Sequence, residues 1–318
     1  MIRLDKNENL YGFADALCAS VFVNVSVGLY PEYEEAESRL ARYFGVATNE
    51  LMLTNGADEA IDCVMQAVSE RLLVVPEPTF SMYEERASLY GYNVKKVVVG
   101  EKRVSLSSFA LSESPALTVI VNPANPSGVV YTADEIVSFA AGQQGVVLVD
   151  ETYAEFCNAT VIGKRTDGMV VIRSFSKAWG IAGLRLGCVI ADAATIARMK
   201  AVRLPYSVNT LACAVLLRAL EQRRIVEQTV DLVKKDRLVI ANYFRKKRIE
   251  CRETAANFIL VKPRKKELFI RYLFENDIVV RSLSGSMSEW VRITVAPESL
   301  QHMLFQIIDS YCKKEESI

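Results

Sequence analysis

Short apolar runs alternate with amphipathic patterns between about residues 32 and 200. The apolar runs are typical of buried strands, and the amphipathic patterns between them predict helices. The predicted strands are 51–53, 72–75, 94–99, 117–121, 146–149, 169–173 and 185–190. The predicted helices are 32–44, 57–69, 80–90, 132–141 and 192–202. This alternation predicts an α/β fold with a mostly parallel central sheet.

The pattern changes after Pro205, where longer helical stretches and fewer strands follow. The helical patterns there are 208–220, 222–247 and 297–312, and the predicted strands are 257–262, 278–281 and 290–295. We expect a large domain over 31–204 and a smaller α+β domain over 205–318. Residues 1–30 have weak periodicity, so we expect an arm that packs on the smaller domain or on a neighbouring subunit.

Composition narrows the classes of function. The 318 residues carry 38 basic and 38 acidic side chains, which does not favour a nucleic-acid partner. No apolar run approaches the roughly 20 residues of a membrane helix, and the N-terminus lacks the pattern of a signal peptide. We therefore expect no membrane partner and a cytoplasmic location. Seven scattered cysteines and a single histidine, His302, argue against a disulfide framework and a metal site.

Polar residues follow several predicted strands directly. The segment 174–187, SFSKAWGIAGLRLG, offers the amine of Lys177 together with hydroxyls, glycines and Arg185 eight residues later. From the residues alone, Lys177 is either an ordinary solvated lysine or a reactive amine beside an anion site. Asp150 is either the N-cap of the next helix or a functional carboxylate. Both side chains are expected at the carboxyl edge of the sheet, where open α/β sheets bind ligands.

The segment 174–187 resembles the lysine segment of fold-type I aminotransferases that depend on pyridoxal 5'-phosphate (PLP). Other landmarks follow in the family's order and cover nearly the whole chain. They are LDKNEN at 4–9, YPEY at 30–33, TNGADEAI at 54–61, PTFSMY at 78–83, NPANPSG at 122–128, VDETYAEF at 149–156, ANFILV at 256–261 and VRITV at 291–295. Within the family, the chain is most similar to the histidinol-phosphate aminotransferases.

The resemblance implies roles around the cofactor ring. Lys177 would form the Schiff base with PLP and later move the substrate proton, so its pKa must be lowered. Asp150 would pair with the ring nitrogen and keep it protonated. Tyr153 and Asn125 would hydrogen-bond the phenolate oxygen of PLP, and Phe80 would stack on the ring. From the residues alone, Asn125 also suits a turn and Phe80 a core position.

The resemblance also implies a phosphate site. Gly56, Ala57 and Asp58 would offer the backbone N–H groups and the dipole of a helix N-terminus. Three further side chains would complete this cradle, and they are Ser174, Ser176 and Arg185. The bidentate geometry of an arginine suits a dianion.

Three residues are implied in substrate binding. Arg292 would hold the carboxylate of an amino acid such as glutamate, although a buried structural ion pair is the alternative. Arg281 would hold a substrate phosphate. Tyr30 would reach a neighbour's active site, which implies a homodimer. The small-molecule partners would be an amine or amino acid and a 2-oxo acid, with histidinol phosphate and 2-oxoglutarate or glutamate as the expected pair.

Two other functions stay open at this stage. The cofactor motifs also occur in PLP-dependent decarboxylases of amino-acid phosphates such as threonine phosphate. The loop between Arg281 and Arg292 is compact and lacks part of the usual pattern, which leaves the distal group of the substrate open. A non-catalytic aminotransferase-like binding module is the second alternative, and the intact set of Lys177, Asp150, Arg185 and Arg292 argues against it.

Overall fold

The computed structural model describes residues 1–22, 25–110 and 116–316. The strands, in chain order, are β1 (Ile2–Arg3), β2 (Leu51–Thr54), β3 (Leu72–Glu77), β4 (Asn93–Val98), β5 (Ala116–Val121), β6 (Gly145–Asp150), β7 (Met169–Ser174), β8 (Gly187–Ile190), β9 (Glu250–Glu253), β10 (Phe258–Lys262), β11 (Ile278–Val279), β12 (Arg281–Ser282) and β13 (Val291–Thr294). The α-helices are α1 (Phe13–Phe22), α2 (Glu34–Phe44), α3 (Gly56–Ala67), α4 (Met82–Leu89), α5 (Ala133–Ala141), α6 (Ala193–Val202), α7 (Thr210–Glu221), α8 (Arg223–Lys246), α9 (Lys266–Glu275) and α10 (Glu298–Glu316).

Seven strands form the large sheet, in the order β2-β8-β7-β6-β5-β3-β4. Strand β8 runs antiparallel to both of its neighbours, and the other neighbouring pairs are parallel. Successive residues of a strand point to opposite faces of the sheet. Leu148 and Val149 of β6 belong to two separate apolar clusters, so both faces of the sheet are covered. Strands buried on both faces read as continuous apolar runs, which explains why the sequence pattern identified them. The predicted α/β fold is confirmed.

Four strands form the small sheet, which is antiparallel in the order β12-β13-β10-β9. The long helix α8 packs on β9 and β10. Behind the sheet, Phe244 of α8, Phe269 of α9 and Tyr311 of α10 are fully buried and stack edge to face. Aromatic packing of this kind fixes the three helices against one another.

The N-terminal residues pack on the C-terminal part of the chain. Strand β1 pairs in parallel with β11, through Ile2 with Ile278 and Arg3 with Val279. Helix α1 then packs against α7. The N-terminal residues therefore contact the predicted smaller domain, and they contain a helix that the weak periodicity did not predict.

Three other elements differ from expectation. The predicted strand 278–281 is two short strands that belong to different sheets, β11 and β12. Strand β9 and helix α9 were not predicted, because β9 is polar and partly exposed and α9 follows a run of charged residues. The division into domains at residues 30 and 204 stays a prediction. Within the described ranges, no helix has the length and apolar character that crossing a membrane requires.

Candidate active site

The predicted ring-binding residues lie at one edge of the large sheet. Strands β5, β6 and β7 are parallel neighbours, so their carboxyl ends meet at that edge. Asn125 follows β5, Asp150 ends β6 and Lys177 follows β7. The topology thus gathers three side chains that are separated by 25 or more residues in the sequence.

Asp150 is buried and held by two hydrogen bonds. Its Oδ2 accepts from the hydroxyl of Tyr83 at 2.7 Å, and its Oδ1 accepts from the backbone N–H of Thr152 at 3.0 Å. Tyr83 is fully buried, and burial together with the nearby carboxylate raises its pKa well above the usual value. Tyr83 therefore stays protonated and always donates to Asp150. Sequence reasoning missed this role, although Tyr83 closes the quoted motif PTFSMY.

Lys177 is half-buried beside the N-terminal segment. Its Nζ donates to the backbone oxygen of Lys6 at 2.8 Å and lies 6.0 Å from the ring centre of Tyr153. Burial, and to a smaller extent the guanidinium of Arg292, lower the pKa of Lys177 from 10.5 to about 8. The amine is therefore much easier to deprotonate than that of a solvated lysine.

Tyr153 is buried between the two sheets. Its hydroxyl accepts from Asn7 Nδ2 at 2.9 Å, and its ring meets Phe258 of β10 edge to face. Burial raises the pKa of Tyr153, so its hydroxyl keeps a proton that it can donate. Asn7 is fully buried with φ of 54°, and its backbone N–H donates to Thr294 Oγ1. The motif LDKNEN contained Asn7, but nothing in the sequence linked it to Tyr153.

The residues of the predicted phosphate cradle meet where α3 begins. Gly56 has φ of 76°, and no side chain caps the helix. A Cβ at Gly56 would lie 2.7 Å from Arg185 Nη2, so only glycine lets the guanidinium approach the helix end this closely. Arg185 Nη2 also donates to Asp58 Oδ2 at 3.0 Å, and its Nη1 donates to Ser176 Oγ at 3.4 Å. N–H groups and a guanidinium converge here, as an anion requires.

The remaining cradle residues lie close by. Ser174 is buried, and its Oγ accepts from the backbone N–H of Ser176 at 3.3 Å. The backbone of Ala57 contacts Gly187, where an added Cβ would lie 2.8 Å from the Ala57 nitrogen. Phe80 precedes α4 and is 38% exposed, which leaves its ring available for stacking.

The two predicted substrate arginines face each other on the small sheet. Arg281 of β12 is the register partner of Arg292 of β13. Arg292 is buried; its Nη1 donates to Asn125 Oδ1 and its Nη2 to the backbone oxygen of Asp5, both at 2.6 Å. Its Nε is buried and, among the described residues, has no hydrogen-bond acceptor. Arg281 is exposed.

Tyr30 lies apart from these residues. It is 75% exposed, and its ring stacks on Tyr206 with 4.2 Å between the ring centres. None of the described contacts of its side chain connects Tyr30 to Lys177 or Asp150.

Comparison with known proteins gives the family. Residues 1–307 match the profile of the family described as aminotransferase class I and II. The chain belongs to this family. The histidinol-phosphate aminotransferase 2 of Nitrosococcus oceani is 31% identical to this aminotransferase over 329 aligned positions, which cover 97% of this chain and 91% of the relative. The predicted family, enzyme class and PLP cofactor are confirmed.

Solved structures agree on the fold. The histidinol-phosphate aminotransferase from Sinorhizobium meliloti, in complex with pyridoxal-5'-phosphate, has a TM-score of 0.90 at 19% identity, covering 98% of this aminotransferase and 91% of that chain. The L-threonine-O-3-phosphate decarboxylase from Porphyromonas gingivalis has a TM-score of 0.86 at 22% identity, covering 98% and 100%. Because one fold serves both reactions, the fold alone does not select the substrate.

Proposed function

We propose that this aminotransferase moves an amino group between histidinol phosphate, or a similar small phosphorylated amine or amino acid, and 2-oxoglutarate or glutamate. The observation that carries this proposal is the facing pair of Arg281 and Arg292 on the small sheet. A buried guanidinium with a free N–H suits a carboxylate, and a second, exposed one suits a phosphate. The similarity to the Nitrosococcus oceani enzyme supports the same substrates.

The residues present fit PLP. The uncapped start of α3 and Arg185 approach each other so closely that a side chain at Gly56 would fill the space, which is the geometry of an anion cradle. Across the site, Asp150 offers a buried carboxylate and Lys177 an amine of lowered pKa. We propose that Arg185, Ser176 and the helix end hold the phosphate.

When bound, PLP supplies an electron sink for the electrons that remain at the substrate Cα after its proton leaves. Lys177 Nζ takes that proton, because burial makes its neutral form accessible near neutral pH. Asp150, oriented by Tyr83, would present a negative charge to the ring nitrogen. Tyr153 keeps its proton and would donate from its hydroxyl to the phenolate oxygen. Each of these groups is held by hydrogen bonds or burial before any ligand arrives.

The proposal is tested by loading the protein with PLP and titrating it with histidinol phosphate. We expect the absorbance of the bound cofactor to convert to that of pyridoxamine phosphate, and 2-oxoglutarate to reverse the change. Release of carbon dioxide without need for a 2-oxo acid would instead identify a decarboxylase of an amino-acid phosphate. No conversion by any amine and no carbon dioxide would leave a non-catalytic binding module.

We also propose a homodimer in which Tyr30 reaches the neighbouring site. Large apolar side chains around Tyr30 are exposed, which is unusual for a surface that stays in water. They are Val27 at 76%, Leu29 at 72%, Leu204 at 72% and Tyr206 at 54%. Sedimentation should give a dimer for the wild type and a monomer for Leu29→Asp with Leu204→Asp. A monomeric wild type would contradict the proposal.

The division into an arm, a large domain and a small domain is part of the same proposal. Separate large and small sheets support it, with the boundaries predicted at residues 30 and 204. The cytoplasmic location is likewise proposed, and the similarity to the histidinol-phosphate aminotransferases supports it.

A further inference from the structure

The two substrate arginines lie on one hairpin, and the turn of that hairpin touches the other half of the molecule. Strands β12 and β13 carry Arg281 and Arg292, and residues 283–290 connect them. Two carboxylates accept hydrogen bonds from this turn, and both belong to the part of the molecule that carries the seven-stranded sheet, called here the large-sheet half. They are Glu77, the last residue of β3, and Glu101, which follows β4.

The first contact joins Glu77 to the start of the turn. Ser286 Oγ donates to Glu77 Oε2 at 3.0 Å. Gly285 has φ of 61°, and a Cβ there would lie 2.5 Å from Glu77 Oε1. A glycine at this position therefore serves both the left-handed backbone and the close approach of the carboxylate. Glu77 also stands three residues before Phe80, the proposed stacking ring.

The second contact joins Glu101 to the end of the turn. Trp290 Nε1 donates to Glu101 Oε2 at 2.6 Å, and Trp290 is only 4% exposed. Arg252 of the small sheet donates to the backbone oxygen of Glu101. Trp290 stands two residues before Arg292, so a displacement of its indole would be felt at the guanidinium.

We propose that Glu77 and Glu101 are positioning residues that hold the arginine hairpin against the large-sheet half and thereby set the affinity for anionic substrates. Hydrogen bonds with an ionised acceptor are stronger and shorter than neutral ones, which suits a fixed distance between two halves. The effect on substrate rests on the proposed function, whereas the contacts themselves do not.

The turn also contains a matched control. Glu289 pairs with Lys262 at 2.6 Å, and both belong to the small-sheet half. Removing this exposed pair changes the charge of the same turn without breaking a contact between the halves. Trp290→Phe keeps an aromatic ring in the core but removes the N–H together with part of the indole, so it breaks the Glu101 contact even if Glu77→Ala folds poorly.

Two measurements separate the contacts from their consequence. In the apoprotein, hydrogen exchange of residues 283–290 should be about ten-fold faster in Glu77→Ala and in Trp290→Phe than in the wild type or Glu289→Ala. In the holoenzyme, the KM for the phosphorylated donor should rise about ten-fold in the same two variants, with kcat and the Kd for PLP nearly unchanged. Glu77→Gln keeps an acceptor for Ser286, so its KM should stay close to that of the wild type.

Each contrary result has its own meaning. Unchanged exchange in both variants would show that the contacts do not hold the turn, and would overturn the inference. Faster exchange with an unchanged KM would overturn the positioning role. A wild type that turns over no phosphorylated donor would sink the proposed substrates, while the exchange measurement would still decide whether the contacts hold the hairpin.

Discussion

The cofactor side and the arginine side of the candidate site are built in different ways. On the cofactor side, Asp150, Ser176, Lys177 and Arg185 come from 36 consecutive residues, which run from the last residue of β6 through β7 to the loop before β8. On the arginine side, Arg292 donates to Asp5, which is 287 residues away in the chain. Most of the first side thus comes from one stretch of the chain, completed by the start of α3, while the second exists only once both ends of the chain have met.

This difference predicts that substitutions on the two sides change different kinetic constants. The cofactor side holds the groups that act on the reacting atoms, so changes there should lower kcat. The arginine side holds the groups that bind the ends of the substrate, so changes there should raise KM.

The largest effect is expected from Asp150→Asn. The amide keeps the shape and one acceptor oxygen, for either Tyr83 or Thr152, but it removes the negative charge proposed to face the ring nitrogen. We expect kcat to fall by about 10³-fold, because a fixed charge in a buried site is among the strongest catalytic contributions. Asp192→Asn, at the N-cap of α6, is the control and should leave kcat unchanged. A loss of less than ten-fold in Asp150→Asn would contradict the role.

A smaller effect is expected from Arg292→Lys. Lysine keeps the charge, but its compact ammonium lacks the planar fork with which Arg292 reaches Asn125 and Asp5 from separate nitrogens. Steady-state kinetics should show a KM for glutamate raised by about 100-fold, with a smaller change in kcat. If kcat fell and KM stayed constant, the arginine side would belong to the chemistry rather than to binding.

Tyr83→Phe should weaken the cofactor side without removing a charge. The phenyl ring preserves the buried packing, but Asp150 Oδ2 loses its donor at 2.7 Å. We expect the Kd for PLP, measured by fluorescence titration, to rise about ten-fold. Tyr92→Phe removes a similar buried hydroxyl that donates to Met65, and its Kd should match the wild type.

The smallest effect is expected in the pH dependence of PLP binding, which tests whether the arginine side changes the pKa of Lys177. The neutral amine of Lys177 is the reactive form, and burial together with the charge of Arg292 lowers its pKa to about 8. The rate at which the apoprotein captures PLP should therefore rise with pH and level off above about pH 8, whereas an ordinary lysine would continue to gain up to its own pKa of 10.5. Arg292→Gln should move the midpoint upwards, and Arg292→Lys should not, because lysine keeps the positive charge. If the midpoint were the same in Arg292→Gln as in the wild type, the two sides would not interact electrostatically.

The sequence predicted most of the cofactor side because its information is local. Apolar runs identified the strands, and a polar residue after each run identified the edge where Asp150 and Lys177 meet. The arginine side was predicted only as a set of residues, by resemblance. Nothing in a local pattern brings Asn7 to Tyr153 or Asp5 to Arg292, since these contacts depend on the pairing of β1 with β11.

Short elements escaped prediction for a related reason. Strands of two residues, such as β11 and β12, are too short for an alternating pattern to appear. The sequence therefore predicted one strand over 278–281, whereas the structure has two strands that belong to different sheets. Helix α1 has only two buried residues, Leu17 and Val21, and its apolar face was too weak to stand out. Tyr83 was assigned to no role because its partner, Asp150, lies 67 residues further along the chain.

The most direct test fixes the cofactor covalently. The protein is mixed with PLP, reduced with borohydride, digested and analysed by mass spectrometry. We predict a single modified peptide with the added mass on Lys177, and no stable modification in Lys177→Ala. Modification of a different lysine in the wild type, or equal labelling of the Lys177→Ala variant, would contradict the central claim that this amine holds the cofactor opposite Asp150.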